Sequence, residues 1–277
     1  MRNPYIPELA LIEEVREETP EVKTFKVSLK HPKPFKPLPG QFIEVSVFGY
    51  GEFPVSVSNI LNSEEGVFEI TVKRVGYVTS AIHNLPPGSV IGVRGPFGNG
   101  FPIEKMKGKN ILMIAGGTGI SVIKSLIHHL LDKREEYGEL RLLYGAKTPK
   151  DLVFRNTFLL NETEASKRGL KVTLTVDVPD EGWRGNVGTV VDLLHKTKVD
   201  SKNTIAVVCG PSVMMKAATE KLLGMGFDEN SIIYSFERRM QCGIGICGHC
   251  MLGEKYVCLD GPIFTYAELR GVIERIF

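Results

Sequence analysis

Up to about Pro102 the chain alternates apolar and polar positions in short runs, each cut off by Pro or Gly. Leu9–Val15, Val22–Ser28, Gln41–Val47, Phe53–Ser58, Phe68–Lys73 and Val90–Arg94 read as strands of half-buried sheet. The segments PKPFKPLPG, GYGE, NSEEG and LPPG between them carry turn chemistry. Six short strands so spaced predict a small antiparallel barrel, interrupted by one short helix over Thr79–Asn84.

From about Lys109 the rhythm changes. Asn110–Ala115 is an apolar strand that runs into Gly116-Gly117-Thr118-Gly119 and then a helix from Ser121 to about Lys133. Val122, Leu126, Ile127 and Leu130 share one face of that helix. Strands recur at Leu140–Tyr144, Lys171–Val176, Thr204–Cys209 and Ser231–Ser235, with helices expected at Pro149–Leu160, Thr189–Lys196 and Ser212–Met225. This alternation predicts a doubly wound parallel sheet. The remainder, from Glu237, is too short and Gly-rich to build a core alone. The expected division is therefore a barrel over residues 1–102, an α/β domain over 103–236 and a small module over 237–277.

Composition changes this picture little. The 277 residues are 43% hydrophobic and 24% charged, which suits two globular domains with an appendage. A net charge of +2 supplies no basic field for nucleic acid. No run approaches the ~20 apolar residues of a membrane helix. The opening MRNPYIPELALIEEVREE lacks the apolar centre of a secretory signal, so a cytoplasmic protein is expected.

The cysteines carry the clearest chemistry. Four of the five fall in CGIGICGHCMLGEKYVC, as Cys242, Cys247, Cys250 and Cys258 with C-x4-C-x2-C-x7-C spacing. Clustering in a chain of this size reads as a metal site rather than a disulfide scaffold. The opening C-x4-C-x2-C with a distant fourth Cys is the plant-ferredoxin arrangement for a [2Fe–2S] cluster. Gly243, Gly245 and Gly248 let the backbone wrap and aim N–H groups at sulfur. Leu252–Tyr256 reads as a hairpin returning Cys258 to the other three. A structural zinc site is the alternative, although zinc sites more often pair two C-x2-C knuckles. His249, with four cysteines at hand, reads as a loop residue.

Two strand exits suggest a nucleotide. NILMIA leads through GGTGIS into a helix, which turns backbone N–H groups toward a pyrophosphate. Val122 stands where the dinucleotide fingerprint has its third Gly, and Tyr144-Gly145-Ala146-Lys147 brings no ribose-binding acid, so an ordinary tight turn stays open. Cys209-Gly210-Pro211-Ser212 is the second exit, and both exits belong at the carboxyl edge of one sheet. Met214 and Met215 behind it are expected to pack, at least one of them in the core. In the barrel, Phe53–Ser58 alternates apolar and hydroxyl residues, Gly76–Ser80 offers hydroxyls at a helix start, and Arg94-Gly95-Pro96-Phe97-Gly98 is a tight turn.

Barrel, GGTG domain, CGP exit and terminal cysteine cluster, in that order, resemble the ferredoxin–NADP reductase superfamily over essentially the whole chain. The pieces that carry the resemblance are PGQF, FPVSVS, RGPFG, AGGTGIS, YGAKTPKDLVF, CGPSVMM, ERRMQCGIGICGHC and CLDGPIF. The branch they resemble holds flavin and iron–sulfur electron-transfer subunits. Among these are the gamma subunit of archaeal soluble hydrogenases and the electron-transfer subunits of anaerobic sulfite reductase and of dihydroorotate dehydrogenase. The resemblance implies FAD on Pro54, Val55, Ser56 and Val57, on Val72 and Lys73, and on Gly76, Val78, Thr79 and Ser80. It implies NAD(P)H on Gly116, Gly117, Thr118, Gly119 and Ile120, on Gly145, Ala146 and Lys147, and on Cys209, Gly210 and Pro211. One departure stands out: the family pattern Arg-x-Tyr/Phe-Ser has Phe53 and Val55 here, leaving Lys73 or Arg74 to meet the flavin's charge.

A nicotinamide delivers a hydride and an iron–sulfur cluster takes single electrons; a flavin handles both, so it belongs between them. The expected path joins NAD(P)H, FAD and [2Fe–2S] to a partner iron–sulfur or catalytic subunit. A hydrogenase complex is favoured, with sulfite reductase and dihydroorotate dehydrogenase as alternatives. Cys209 is a weak catalytic candidate near the nicotinamide, and Lys147 and Arg155 are candidates for a 2′-phosphate. A zinc-stapled nucleotide-sensing subunit without redox activity, and a flavin reductase that needs no partner, are the competing readings.

Overall fold

The computed structural model describes residues 3–155 and 167–276. Its contacts define two compact units: residues up to Phe101 together with Phe236–Ile263, and Pro102–Ser235 together with residues from Phe264 on.

In the first unit, β1 (Glu8–Thr19), β2 (Val22–Leu29), β3 (Phe42–Val47), β4 (Gly51–Asn62), β5 (Val67–Lys73) and β6 (Val90–Phe97) close an antiparallel barrel in the order β1-β2-β5-β4-β3-β6. All six expected strands form, several of them longer than expected. Closure needs one apolar face per strand, and the inward set supplies it: Phe25, Ile43, Phe68, Ile70 and Ile91 are fully buried. Helix α1 (Tyr77–His83) seals one end through Ala81 and Ile82, two residues earlier than expected.

Strand β3 departs from alternation. Five of its six residues are buried, Glu44 among them. Residues 236–263 cover its outer face, and a Cβ on Gly243 would stand 3.2 Å from Glu44 Cγ. This segment carries only a two-residue hairpin pair, β13 (Met251–Leu252) with β14 (Lys255–Tyr256). It therefore depends on cross-links to the barrel's exit. Asn99 supplies most of them: its amide donates to the Gly261 carbonyl (2.6 Å), its Nδ2 to the Asp260 and Ile263 carbonyls (both 2.8 Å), and its Oδ1 accepts from the Ile263 amide (3.0 Å). Gln41 Nε2 donates to the Gly98 carbonyl at 2.7 Å, and Phe101 N–H to the Pro39 carbonyl at 2.8 Å. Gly98, at φ +72°, has no room for a side chain, since a Cβ there would run into the Gly261 carbonyl. PGQF, RGPFG and CLDGPIF thus meet in one knot.

In the second unit, α2 (Ile103–Met106) leads into a sheet of β7 (Asn110–Gly116), β8 (Leu140–Ala146), β9 (Leu170–Val176), β10 (Asn186–Val187), β11 (Thr204–Cys209), β12 (Ile232–Ser235) and β15 (Ile263–Thr265), in the order β10-β9-β8-β7-β11-β12-β15. The pairings from β10 through to β12 are all parallel. Among the described residues the helices that follow are α3 (Ile120–Asp132), α4 (Val190–Lys196), α5 (Ser212–Gly224) and α6 (Tyr266–Ile276). Of the expected helix Pro149–Leu160, Pro149–Asp151 forms a single 3-10 turn, and residues 156–160 lie outside the described residues.

The expected tail module differs at its end. After the cysteine segment the chain returns to the sheet as β15, and α6 docks by Leu269, fully buried, and by Tyr266 edge-on to Tyr234 at 6.5 Å. No helix among the described residues is long and apolar enough to cross a membrane.

Asn99→Ala removes three side-chain hydrogen bonds that hold the 236–263 segment. Its expected cost is about 1–3 kcal/mol of stability, read by chemical denaturation, with earlier proteolytic cleavage in that segment than in the barrel.

Candidate functional site

The cysteine loop is built by backbone conformation. Gly243, Gly245 and Gly248 all take φ between +72° and +78°, turning successive amides inward. Cys242 Sγ accepts from the amides of Ile244 (3.5 Å), Ile246 (3.4 Å) and Cys247 (3.4 Å), and Cys258 Sγ from that of Gly245 (3.1 Å). The hairpin brings Cys258 Sγ to 3.2 Å from Cys250 Sγ. Cys242, Cys250 and Cys258 are buried and Cys247 is exposed. Burial, reinforced by Cys250, pushes the Cys258 thiol up to about 12, whereas the His249 amide holds the Cys247 thiol below its usual range.

These residues fit an iron–sulfur cluster. A sulfur that accepts three amides is prepared for negative charge, and buried thiols at van der Waals distance call for a cation to hold them as thiolates. Among the described residues no three His, Cys, Asp or Glu side chains converge on a position for a single metal ion.

Beneath the loop lies a polar cluster centred on Arg94, the first residue of the RGPFG turn, whose role there the sequence does not show. Arg94, 5% exposed, donates from Nε to Glu52 Oε1 (2.9 Å), and its Nη1 donates to the Cys242 carbonyl (3.0 Å) and the Pro4 carbonyl (3.1 Å). Glu52 is held below the usual carboxylate range because the hydrogen bonds from Arg94 and Ser46 outweigh its burial. Glu44, 1% exposed, has no hydrogen-bond partner for Oε1 among the described residues; burial, then the Glu52 charge, pushes its carboxyl up to about 8.

The flavin candidates lie along β4, the end of β5 and α1. Pro54, Val55 and Ser56 are half-buried, and Val57 is in the core. Val72 is also buried, with its carbonyl taken by His83 Nε2 at 2.9 Å. Lys73 pairs with Glu21 at 3.3 Å, and Arg74 is exposed. Gly76, Val78, Thr79 and Ser80 form the first turn of α1, where Thr79 Oγ1 accepts from the amides of Val75 (2.9 Å) and Gly76 (2.8 Å). Phe53, standing where the family has Arg, packs against the barrel core with Val55 and Val78. Beside them Tyr50 and Tyr77 are in ring contact at 5.4 Å yet about half and three-quarters exposed, an apolar ledge suited to a flat ligand.

The nucleotide candidates share the carboxyl edge of three adjacent strands. Gly116 pairs with Gly145 across β7 and β8, and Cys209 with Ala115 across β11 and β7. Gly119 permits this approach, because a Cβ there would collide with the Cys209 carbonyl. Gly117 serves otherwise: it takes φ +53° with nothing within 4 Å of a built Cβ, so its face is open. Tyr144 fixes the turn, its hydroxyl donating to the Gly117 carbonyl (3.2 Å) and accepting from the Val153 amide (2.9 Å), a role not legible from sequence. Thr118 is half-buried and Ile120 buried; Ala146 is buried and Lys147 exposed; Cys209 is buried, Gly210 half-buried and Pro211 exposed. Met215 is buried, whereas Met214 lines the contact between Gly116 and Gly210.

Comparison with known proteins finds the same order of domains along the chain. Residues 9–101 match the oxidoreductase FAD-binding domain, 113–220 the oxidoreductase NAD-binding domain, and 237–270 the iron–sulfur cluster binding domain of dihydroorotate dehydrogenase B. The chain is 37% identical to sulfhydrogenase 2 subunit gamma of Pyrococcus furiosus, over 98% of this chain and 100% of that one. It is 34% identical to a probable dihydroorotate dehydrogenase B (NAD(+)) electron transfer subunit of Pyrococcus abyssi, over 94% and 91% respectively. Among solved structures, a chain of NADH-dependent reduced ferredoxin-NADP oxidoreductase superposes with a TM-score of 0.76 at 27% identity, covering 100% of this chain and 94% of that one. The chain belongs to the ferredoxin–NADP reductase-like family of flavin and iron–sulfur electron-transfer subunits, as an NAD(P)H-dependent oxidoreductase subunit whose cofactors are FAD and an iron–sulfur cluster.

Proposed function

We propose that this chain carries electrons between NAD(P)H and a hydrogenase of the sulfhydrogenase type, in the cytoplasm, with FAD and a [2Fe–2S] cluster between the two ends. FAD, when bound, would supply the exchange between two-electron hydride chemistry and single-electron transfer. The protein's own contribution is placement. Cys242, Cys247, Cys250 and Cys258 would hold the cluster, with the amides of Ile244, Ile246 and Cys247 directed at the Cys242 sulfur. Gly117 leaves an open face at the strand exit for the dinucleotide, and the Tyr50–Tyr77 ledge and Arg74 would meet the flavin. The partner is favoured by the sulfhydrogenase gamma relatives, which match over almost their full length.

The observation that carries the reading is the exposed cysteine. Three of the four thiols are buried, but Cys247 is exposed, next in sequence to Ile246, 69% exposed, in a loop where Leu259, 59% exposed, packs near Gly245. An exposed ligand in a loop with exposed apolar side chains suits an electron outlet that a second protein covers.

Hydrogen-dependent reduction of NAD(P) by the native complex is the expected activity; turnover of sulfite or dihydroorotate in its place would assign the chain to another partner. Cys247→Ala is expected to abolish electron delivery to the partner while NAD(P)H still bleaches the flavin, which stopped-flow absorbance separates. With Phe53 in place of the family's Arg, Arg74→Ala is expected to weaken FAD retention about tenfold or more, measured by flavin fluorescence on dilution. Lys73→Ala, whose ammonium is already paired, is expected to change retention much less.

A further inference from the structure

Arg94 is one of only two buried cationic side chains among the described residues, and it lies under the cysteine loop. Its guanidinium is used on two sides. One faces the Glu52 carboxylate; the other donates to the carbonyl of Cys242 at 3.0 Å and approaches that of Gln241 at 3.5 Å. Phe97 closes the remaining side, its ring centroid 5.5 Å from the guanidinium and its edge 3.1 Å from a Cβ built on Gly243. Glu44 and Glu52 are the acidic groups facing it, and Tyr5 lies beyond at 6.0 Å. Nothing in the flavin or nucleotide readings uses this cluster.

A buried charge beside the backbone of a cysteine ligand acts through a weakly screened medium, so its sign is felt at the metal. We infer that Arg94 is a positioning residue for the cluster: it fixes the backbone of Cys242 and, opposed by Glu52, sets the reduction potential of the iron held there. The inference rests on the reading of the four cysteines as cluster ligands. Reduction adds negative charge to the cluster. The Arg94 cation favours that state and the Glu52 anion disfavours it. The two residues form one ion pair, so a purely structural role requires their loss to act alike, whereas an electrostatic role requires opposite effects.

The test is an EPR-monitored redox titration of the holoprotein, wild type and variants at one fixed pH. Arg94→Gln is expected to shift the cluster to lower potential and alter its EPR line shape. Glu52→Gln, which leaves the guanidinium uncompensated, is expected to shift it to higher potential. Arg94→Lys is expected to restore most of the potential but not the line shape, because an ammonium keeps the charge and loses the fork. Shifts of the same sign, or unchanged potentials with lowered thermal stability alone, would overturn the inference. Should Arg94→Gln fail to fold, Glu52→Gln decides alone: a rise supports the inference, and no rise overturns it. Wild-type protein with no signal of a reduced [2Fe–2S] cluster would refute the ligand reading itself, a different result from a silent variant.

Discussion

Residues 236–263 cannot bury a core of their own, and the hydrogen bonds of Asn99 to Asp260, Gly261 and Ile263, together with those of Arg94 to the Cys242 and Gln241 carbonyls, hold them on the barrel. Much of the first unit follows from that requirement. Gly98 must lack a side chain because the strap carbonyl of Gly261 occupies its place. Strand β3 must be buried on both faces because the strap lies over one of them. Glu44, on the covered face, is thereby removed from water without a partner for one oxygen, and Arg94 is drawn in beneath Cys242. A cysteine loop and a flavin barrel that are distant in sequence become one folding unit.

That arrangement has a consequence for electron transfer. The potential and position of a cluster are set by the charges and amides around its sulfurs. Here the amides come from the loop, while the half-buried ion pair of Arg94 and Glu52 comes from the barrel strands β6 and β4. A substitution in the barrel can therefore alter the cysteine site without touching a cysteine. The nucleotide turn is supported in a comparable way: Tyr144, on the neighbouring strand, ties the Gly117 carbonyl to the Val153 amide.

Local patterns made the strands legible. Alternation and turn residues located all six barrel strands, and apolar runs ending in Gly located β7, β8 and β11 with their shared carboxyl edge. The turn residues in Leu252–Tyr256 made the hairpin between Cys250 and Cys258 legible. Non-local pairing was not legible. IFT at 263–265 is a short apolar run at the end of a Gly-rich stretch, and nothing within it reports that it joins a sheet begun at Asn110. Arg94 and Asn99 likewise look like turn residues, since their partners lie about 150 positions or more away. Glu44 reads from alternation as a half-exposed strand residue, because the covering segment comes from the far end of the chain.

On this reading one chain links a hydride carrier to a single-electron site. Anaerobic titration of the purified protein with NADH and NADPH, following flavin absorbance and the EPR signal of the same sample, tests this most directly. Bleaching of the flavin accompanied by the signal of a reduced [2Fe–2S] cluster is the predicted result. A colourless protein containing zinc, or a flavin that bleaches while no cluster signal develops, would contradict it.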